Sequence, residues 1–296
     1  MEPLGETMNT FRHIAAPPLR FLNRLGTFGR KRTSAFRMLL LHGIEDHEHD
    51  AFDQLVAYVV REHGVISPAE AVSGAEDQGV VRPDWCLPCV FTFDDGFASN
   101  FEVAMSVLDR YSVKALFFVC PGLIELEGDV QRRAMARQIF QGRIEAGDLP
   151  ASMRLMNWDE LRSLKAGGHV IGCHGMQHRR LTEVDNEELI EEVDAAGDLL
   201  DARLLQETDW YAYAFGDIGS IDRLAIEVIS RRFRYCRSGI RGVNGSQTNR
   251  MAFCADSLSP NAPLSYQKLL IEGALDIVYG RRRRALEALA AKAAIN

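Results

Sequence analysis

No stretch of about twenty residues in this sequence is free of charge, which excludes a membrane-spanning helix. The N-terminal segment holds no apolar run of about 7–15 residues, so it does not read as a secretory signal. Internal repeats and low-complexity tracts are missing, and with them solenoid, collagen-like and disordered architectures. Cysteine is scarce, at six in 296 residues. The one C-x-x-C pair, Cys86 and Cys89, has no second pair to complete a metal site, and packed or surface thiols are the expectation. Without an export signal all six thiols are expected to be reduced. Positive charge is not in excess either: a net charge of −7 argues against general nucleic-acid binding.

What is present is an ordinary globular composition, 47% hydrophobic and 25% charged. A chain of this length buries roughly three quarters of its unfolded surface and needs no disulfide or structural metal to fold. The charge is unevenly spread. Residues 1–37 hold seven Lys or Arg against Glu2 and Glu6, and residues 281–296 hold five against Glu287. The body between them is therefore strongly acidic. Basic ends of this kind suit an acidic partner or a membrane surface.

Short apolar runs at 37–42, 89–93, 115–119, 169–174, 210–215 and 233–238 read as buried strands. Apolar residues at helical spacing predict helices over 51–63, 100–111, 158–166, 186–205 and 221–231. Residues 73–84 read as a loop, and 124–156 as a partly helical insertion. Strand alternating with helix, with strands apolar on both faces, predicts an α/β fold with a mostly parallel sheet. Such folds build their active sites at the carboxyl ends of the strands.

Four strand ends carry residues able to do chemistry. They are His42, then Asp94 and Asp95 in Thr92-Phe-Asp-Asp-Gly96, then His174 and His178 in His174-Gly-Met-Gln-His178, then Tyr213-Ala-Phe215-Gly216. Two adjacent carboxylates repel unless a cation neutralises them. On a strand-to-loop turn their side chains diverge, so one can bind a metal while the other faces substrate. Two histidines at i and i+4 lie one helical turn apart and can share that metal. Two His and one Asp with open positions make a reasonable catalytic zinc set, although iron, cobalt or nickel suit the same donors.

Thr-Phe-Asp-Asp-Gly followed roughly eighty residues later by His-x-x-x-His resembles the polysaccharide deacetylase family, also called NodB-homology or carbohydrate esterase family four. Segments 91–122, 157–180 and 210–216 look like its motif regions, within a resemblance over roughly residues 38–260. It implies a distorted (β/α) barrel that removes an acetyl group from an N-acetylated sugar in glycan or polysaccharide biosynthesis, with one divalent metal ion, zinc by preference. By that match Asp94 is the general base, and Asp95, His174 and His178 are the metal ligands. The N–H of Phe215 is the oxyanion donor. The sequence departs from the pattern in places. Gly175 stands where the family has Ser or Thr, Ala212 where a motif Arg orients the base, and Ala214 where it has Pro. The family's last motif, Leu-x-His near the C-terminus, is absent, because His178 is the final histidine.

Leu40-Leu-His42 itself reads Leu-x-His, at the first strand rather than the last. In a closed barrel those strands are neighbours, and this looks like the circularly permuted subgroup that includes poly-N-acetylglucosamine deacetylases. His42 is therefore expected as the general acid, with Asp46 as a candidate to orient it, and His47 and His49 in a solvated loop. Arg237 and Arg241 are candidates to pair with Asp94 or with a charged group of the substrate. Tyr213 and Trp210 are candidates to stack on a sugar, against a core role for each.

The chain is read as a basic leader of little order (1–36), a single-domain barrel (37–280) and a basic C-terminal helix (281–296). The expected partners are an N-acetylated sugar, a nucleotide-sugar or a glycolipid, with peripheral membrane contact through the basic N-terminus. The expected compartment is the cytoplasm, at a membrane surface. Two other readings fit the same residues. One is a metal-dependent amidohydrolase on a non-sugar amide such as a ureide, formamide or cyclic imide. The other is a catalytically weak member that binds carbohydrate.

Overall fold

The computed structural model describes residues 3–32, 34–73 and 81–293, so part of the loop read over 73–84 lies outside the described residues. Its centre is a curled sheet of seven parallel strands, to whose first strand the short segment Asn244–Gly245 adds an antiparallel pair. The parallel strands are β1 (Ala35–Leu41), β2 (Cys89–Phe93), β3 (Leu116–Val119), β4 (Val170–Cys173), β5 (Trp210–Ala212), β6 (Tyr235–Arg237) and β7 (Asp256–Ser257). They lie in the order β7-β1-β2-β3-β4-β5-β6. One segment joins the two edges: Phe253 bridges Arg237, and Asp256 and Ser257 then pair with Leu39 and Leu40. The result is a curled half-barrel, a distorted (β/α) barrel whose two edges are linked only by this segment. Six of the strands are those read from the sequence, with bounds within three residues. The two-residue β7 is too short to leave a periodic pattern.

Both faces of the strands are buried, which is why they are apolar throughout. Phe36, Met38, Leu40, Val90, Leu116, Phe118, Trp210 and Phe253 form one cluster. Leu39, Leu41, Phe91, Phe93, Phe117, Ile171 and Tyr211 belong to another, which includes the core residues of the surrounding helices. Those helices include His49–Glu62, Trp158–Ala166 and Arg223–Arg232. The acidic run predicted over 186–205 is helical over 186–204, but widens into a π-turn at Glu191–Ala195. The insertion holds one helix, Gly128–Gln138.

Register positions the site. Leu41 pairs with Phe93, Phe93 with Phe117, Val119 with Cys173, and Ala212 with Arg237. The residues that follow these strand ends, His42, Asp94, Asp95 and His174, therefore share one rim with Arg237.

The basic leader is a helix, α1 (Pro3–Gly26), where little order was expected. Arg20 and Arg24 both reach the buried carboxylate of Glu272, and the Asn23 amide donates to the Glu272 carbonyl at 2.9 Å. A buried carboxylate needs such partners, and this one anchors the helix. The basic C-terminal segment lies in a longer helix, Asp276–Ala293. Among the described residues no helix is long and apolar enough to cross a membrane.

Candidate active site

A cavity of about 430 Å³ opens at the carboxyl rim of the barrel. His42, Asp94, Asp95, His174, His178, Phe215 and Arg237 all line it. Ile139, Phe140 and Met153 of the insertion form part of its wall.

Asp95, His174 and His178 bring one ligand atom each to within 4.8 Å of one another. Asp95 Oδ1 lies 3.6 Å from His174 Nε2 and 3.3 Å from His178 Nε2. The far side of each ring is fixed by a main-chain carbonyl. His174 Nδ1 donates to Ala212 O at 2.7 Å, and His178 Nδ1 donates to Gln138 O at 3.2 Å. A carbonyl can only accept, so Nδ1 carries a hydrogen and each Nε2 is the ring atom turned toward Asp95, the atom a metal would take. This is the donor set that a divalent metal takes, and the residues fit one.

Electrostatics agree. Burial pushes His174 down to about 4, which keeps it neutral and able to ligate. Burial alone would raise Asp95, but the hydrogen bond and charge of His178 outweigh it and hold its carboxyl well below the usual range. His178 is raised in turn: burial lowers it, and Asp95 more than reverses that. The two groups thus stabilise each other's charged forms.

The backbone is strained at three of these residues. Asp95, His178 and Phe215 adopt φ of 70°, 61° and 65°. They are three of the seven described non-glycine residues with positive φ, and all three line this cavity. Each costs about 1–2 kcal/mol and persists because its surroundings hold it. The histidine spacing thus works through a left-handed loop, not the helical turn that the sequence suggests. Gly175 in the same loop has φ 82°.

Asp94 lies beside the donor set, with Oδ2 at 3.8 Å from His174 Nε2. The buried guanidinium of Arg237 ion-pairs with its other oxygen. Arg237 rests over the Phe118 ring, 4.7 Å from its centroid, and donates to Ser238 O at 3.3 Å. It is a buried cation beside Asp94 in a chain that has Ala at 212. His42 sits exposed on the rim of the cavity. Asp46 does not orient it: that side chain is 94% exposed, and the ion pair it makes is with His49 at 4.0 Å.

Several candidates fall elsewhere. Tyr213 is buried under the turn, and its hydroxyl donates to Gly216 O at 3.3 Å, so it supports Phe215 rather than a sugar. Trp210 packs on Phe118, Tyr235 and Phe253 in the barrel core. Arg241 pairs with Asp256 and donates to Ser257 O, which pins β7 and leaves it outside the cavity lining. Cys86 and Cys89 are free thiols that donate to Glu62 O and Leu87 O.

The barrel thus carries paired carboxylates and two histidines on the carboxyl rim of its parallel strands. The family model described as polysaccharide deacetylase matches residues 87–231. No curated protein matches the sequence. Among solved structures, the chain resembles the Streptococcus pyogenes deacetylase PplD in complex with acetate, at 20% identity and TM-score 0.59, over 81% of this chain and 98% of that one. It resembles IcaB from Ammonifex degensii at 19% identity and TM-score 0.56, over 80% and 96%. A de-N-acetylase from Aggregatibacter actinomycetemcomitans matches at 15% identity and TM-score 0.60, over 79% and 98%. At such identities these likenesses speak to the fold.

Proposed function

We propose that this protein is a metal-dependent carbohydrate N-deacetylase, with Asp95, His174 and His178 as metal ligands and Asp94 as general base. The observation that carries the reading is the pairing at the cavity floor. Three converging donors lie beside a second carboxylate that a buried arginine holds.

A metal bound there, zinc by preference, would supply Lewis acidity toward the amide oxygen and make water more acidic. The protein's own groups do the rest. Asp94 takes the proton of the attacking water. Arg237 pairs with Asp94 and fixes the oxygen that faces away from the histidines. The Phe215 N–H donates to the oxygen that gains negative charge. His42, at the end of β1, gives a proton to the leaving amine, in the role of the Leu-x-His motif absent from the C-terminal region. Its position on the rim supports that role.

The substrate we favour carries its N-acetylated sugar on an anionic handle, a nucleotide or a lipid phosphate. A second cavity of about 510 Å³, lined in part by Arg137, Arg179 and Arg180, lies on the other side of His178 and Phe215 and supports this. We also propose peripheral membrane contact through α1, although by a different face from the one the charge pattern suggested. Arg20 and Arg24 turn inward to Glu272, whereas Ile14, Phe21, Leu22 and Leu25 of the helix and Phe28 just beyond it are exposed.

The test is acetate release from a panel of N-acetylated sugars, with Asp94→Asn alongside. Release that depends on Asp94 supports the proposal. Hydrolysis of ureides or formamides with no acetate from any sugar would replace it by the non-sugar amidohydrolase. Sugar binding with no hydrolysis would replace it by the carbohydrate-binding reading.

A further inference from the structure

The long helix over 186–204 carries one acid that its solvated pattern conceals. Glu192 is 1% exposed, in the π-turn Glu191–Ala195. A π-turn rotates the side chains of a helix by an extra step, and such turns recur at functional sites. Here it points Glu192 under the loop that holds both histidines. Glu192 Oε1 accepts the Gln177 N–H at 3.1 Å. Oε2 accepts the same N–H at 3.3 Å and the Arg179 N–H at 3.4 Å. One carboxylate thus grips the residues on either side of His178. The main-chain oxygen of Glu192 accepts the Tyr211 hydroxyl at 3.3 Å, which ties the turn to β5.

The opposite wall is cut to fit. A Cβ on Gly175 would come within 2.5 Å of Glu192 Oε2, so the space that a side chain at 175 would fill belongs to the carboxylate. His178 has the costly left-handed backbone, φ 61°, and such a residue stays there only if its neighbours are held. A buried carboxylate is itself expensive to keep. An apolar residue would fill the turn without that cost, but would leave two N–H groups of the loop unpaired.

We propose that Glu192 is a positioning residue for the metal centre, holding His178 in its left-handed conformation so that Nε2 faces Asp95. It touches neither substrate nor metal. It acts on the loop from beneath, and Gly175 is its structural counterpart. The inference rests on the metal reading of Asp95, His174 and His178, and its test separates the two.

The experiment uses full-length protein, wild type beside Glu192→Ala and Glu192→Gln. The first readout is zinc affinity of the metal-free protein by competition with a chromophoric chelator. Glu192→Ala is expected to weaken zinc binding by about 10–100-fold, as loss of an outer-shell partner does. Glu192→Gln keeps one accepting oxygen and is expected to fall between. The second readout needs no metal: imidazole nitrogen–proton NMR of the metal-free proteins. The His178 Nδ1–H signal, held by Gln138 O, is expected to broaden or vanish in Glu192→Ala, while that of His174 persists. A role confined to overall stability would lower the melting temperature and leave both readouts unchanged. Unchanged zinc affinity together with a sharp His178 signal in Glu192→Ala overturns the proposal. A wild-type protein that binds no zinc overturns the metal reading instead, and the NMR comparison still decides what Glu192 does.

Discussion

Replacing Arg237 by Met tests how the base is held in place. Met preserves much of the side-chain volume over Phe118 and removes the cation from Asp94. Arg237 is 1% exposed and Asp94 4%, so solvent replaces little of what is lost. Opposite unit charges about 4 Å apart attract by about 4 kcal/mol at an effective dielectric near 20. Breaking a buried pair by removing one partner costs about 3–5 kcal/mol. Arg237→Met is therefore expected to lower stability by about 3–5 kcal/mol, less what water entering the space of the guanidinium returns, and to lower kcat/KM for acetate release because Asp94 is no longer held in place. The assay is urea unfolding of wild type, Arg237→Met, Asp94→Asn and the double variant, with acetate release measured beside it. The double variant, which leaves no unpaired charge, should be more stable than Arg237→Met alone. Strictly additive losses in this cycle, or an Arg237→Met protein as stable and as active as the wild type, would refute the idea that Arg237 acts through Asp94.

Gly216→Ala should destabilise the protein by about 2–4 kcal/mol, seen as a lower urea midpoint. Gly216 has φ 63°, and a Cβ there would lie 2.5 Å from the Gly239 nitrogen, which is backbone and cannot swing away. His169 is held neutral, its pKa pushed down to about 4 by burial. Above pH about 6.5 neither the folded nor the unfolded form is protonated at this site, so it costs nothing. As pH falls from about 6.5 to 4 the unfolded chain gains a proton that the folded chain refuses, and stability drops by up to about 3 kcal/mol before levelling off. His169→Gln, which keeps an acceptor for the Ala115 N–H, should flatten the stability–pH slope in that window. Phe21→Ser with Phe28→Ser should abolish flotation with anionic vesicles and leave acetate release from a soluble sugar unchanged. Retained flotation would remove the α1 contact from the account.

Much of the site was legible because parallel register does simple work. Apolar runs end at Leu41, Phe93 and Cys173, and whatever follows them must share a rim. The sequence pattern therefore located Asp94, Asp95 and His174 together without any long-range information. His178 was found for a reason that proved incomplete: its spacing mimics a helical turn, but a left-handed loop delivers it. Glu192 was hidden because it sits among Glu187, Glu188, Glu191 and Asp194 in a run that reads as a solvated face. Only the π-turn singles it out, and no composition shows that. The Gln138 carbonyl is backbone and leaves no mark in side-chain patterns. Arg241 misled for the reverse reason. A basic residue after the sixth strand looked free for substrate, but it is needed by Asp256, in a strand of two residues that no periodicity could reveal. The leader was misread because its charges, visible in the sequence, are spent on Glu272, which lies 248 residues away from Arg24.

The central claim is a metal-dependent N-deacetylation at one site, and one measurement addresses it most directly. Protein stripped by chelator, then reloaded with a single equivalent of zinc, is assayed for acetate released from N-acetylglucosamine oligomers and from an N-acetylated nucleotide-sugar. The stripped protein should release no acetate, one equivalent of zinc should restore release, and loaded Asp94→Asn should release none. Equal acetate release before and after stripping, or loaded Asp94→Asn as active as the wild type, would contradict the claim.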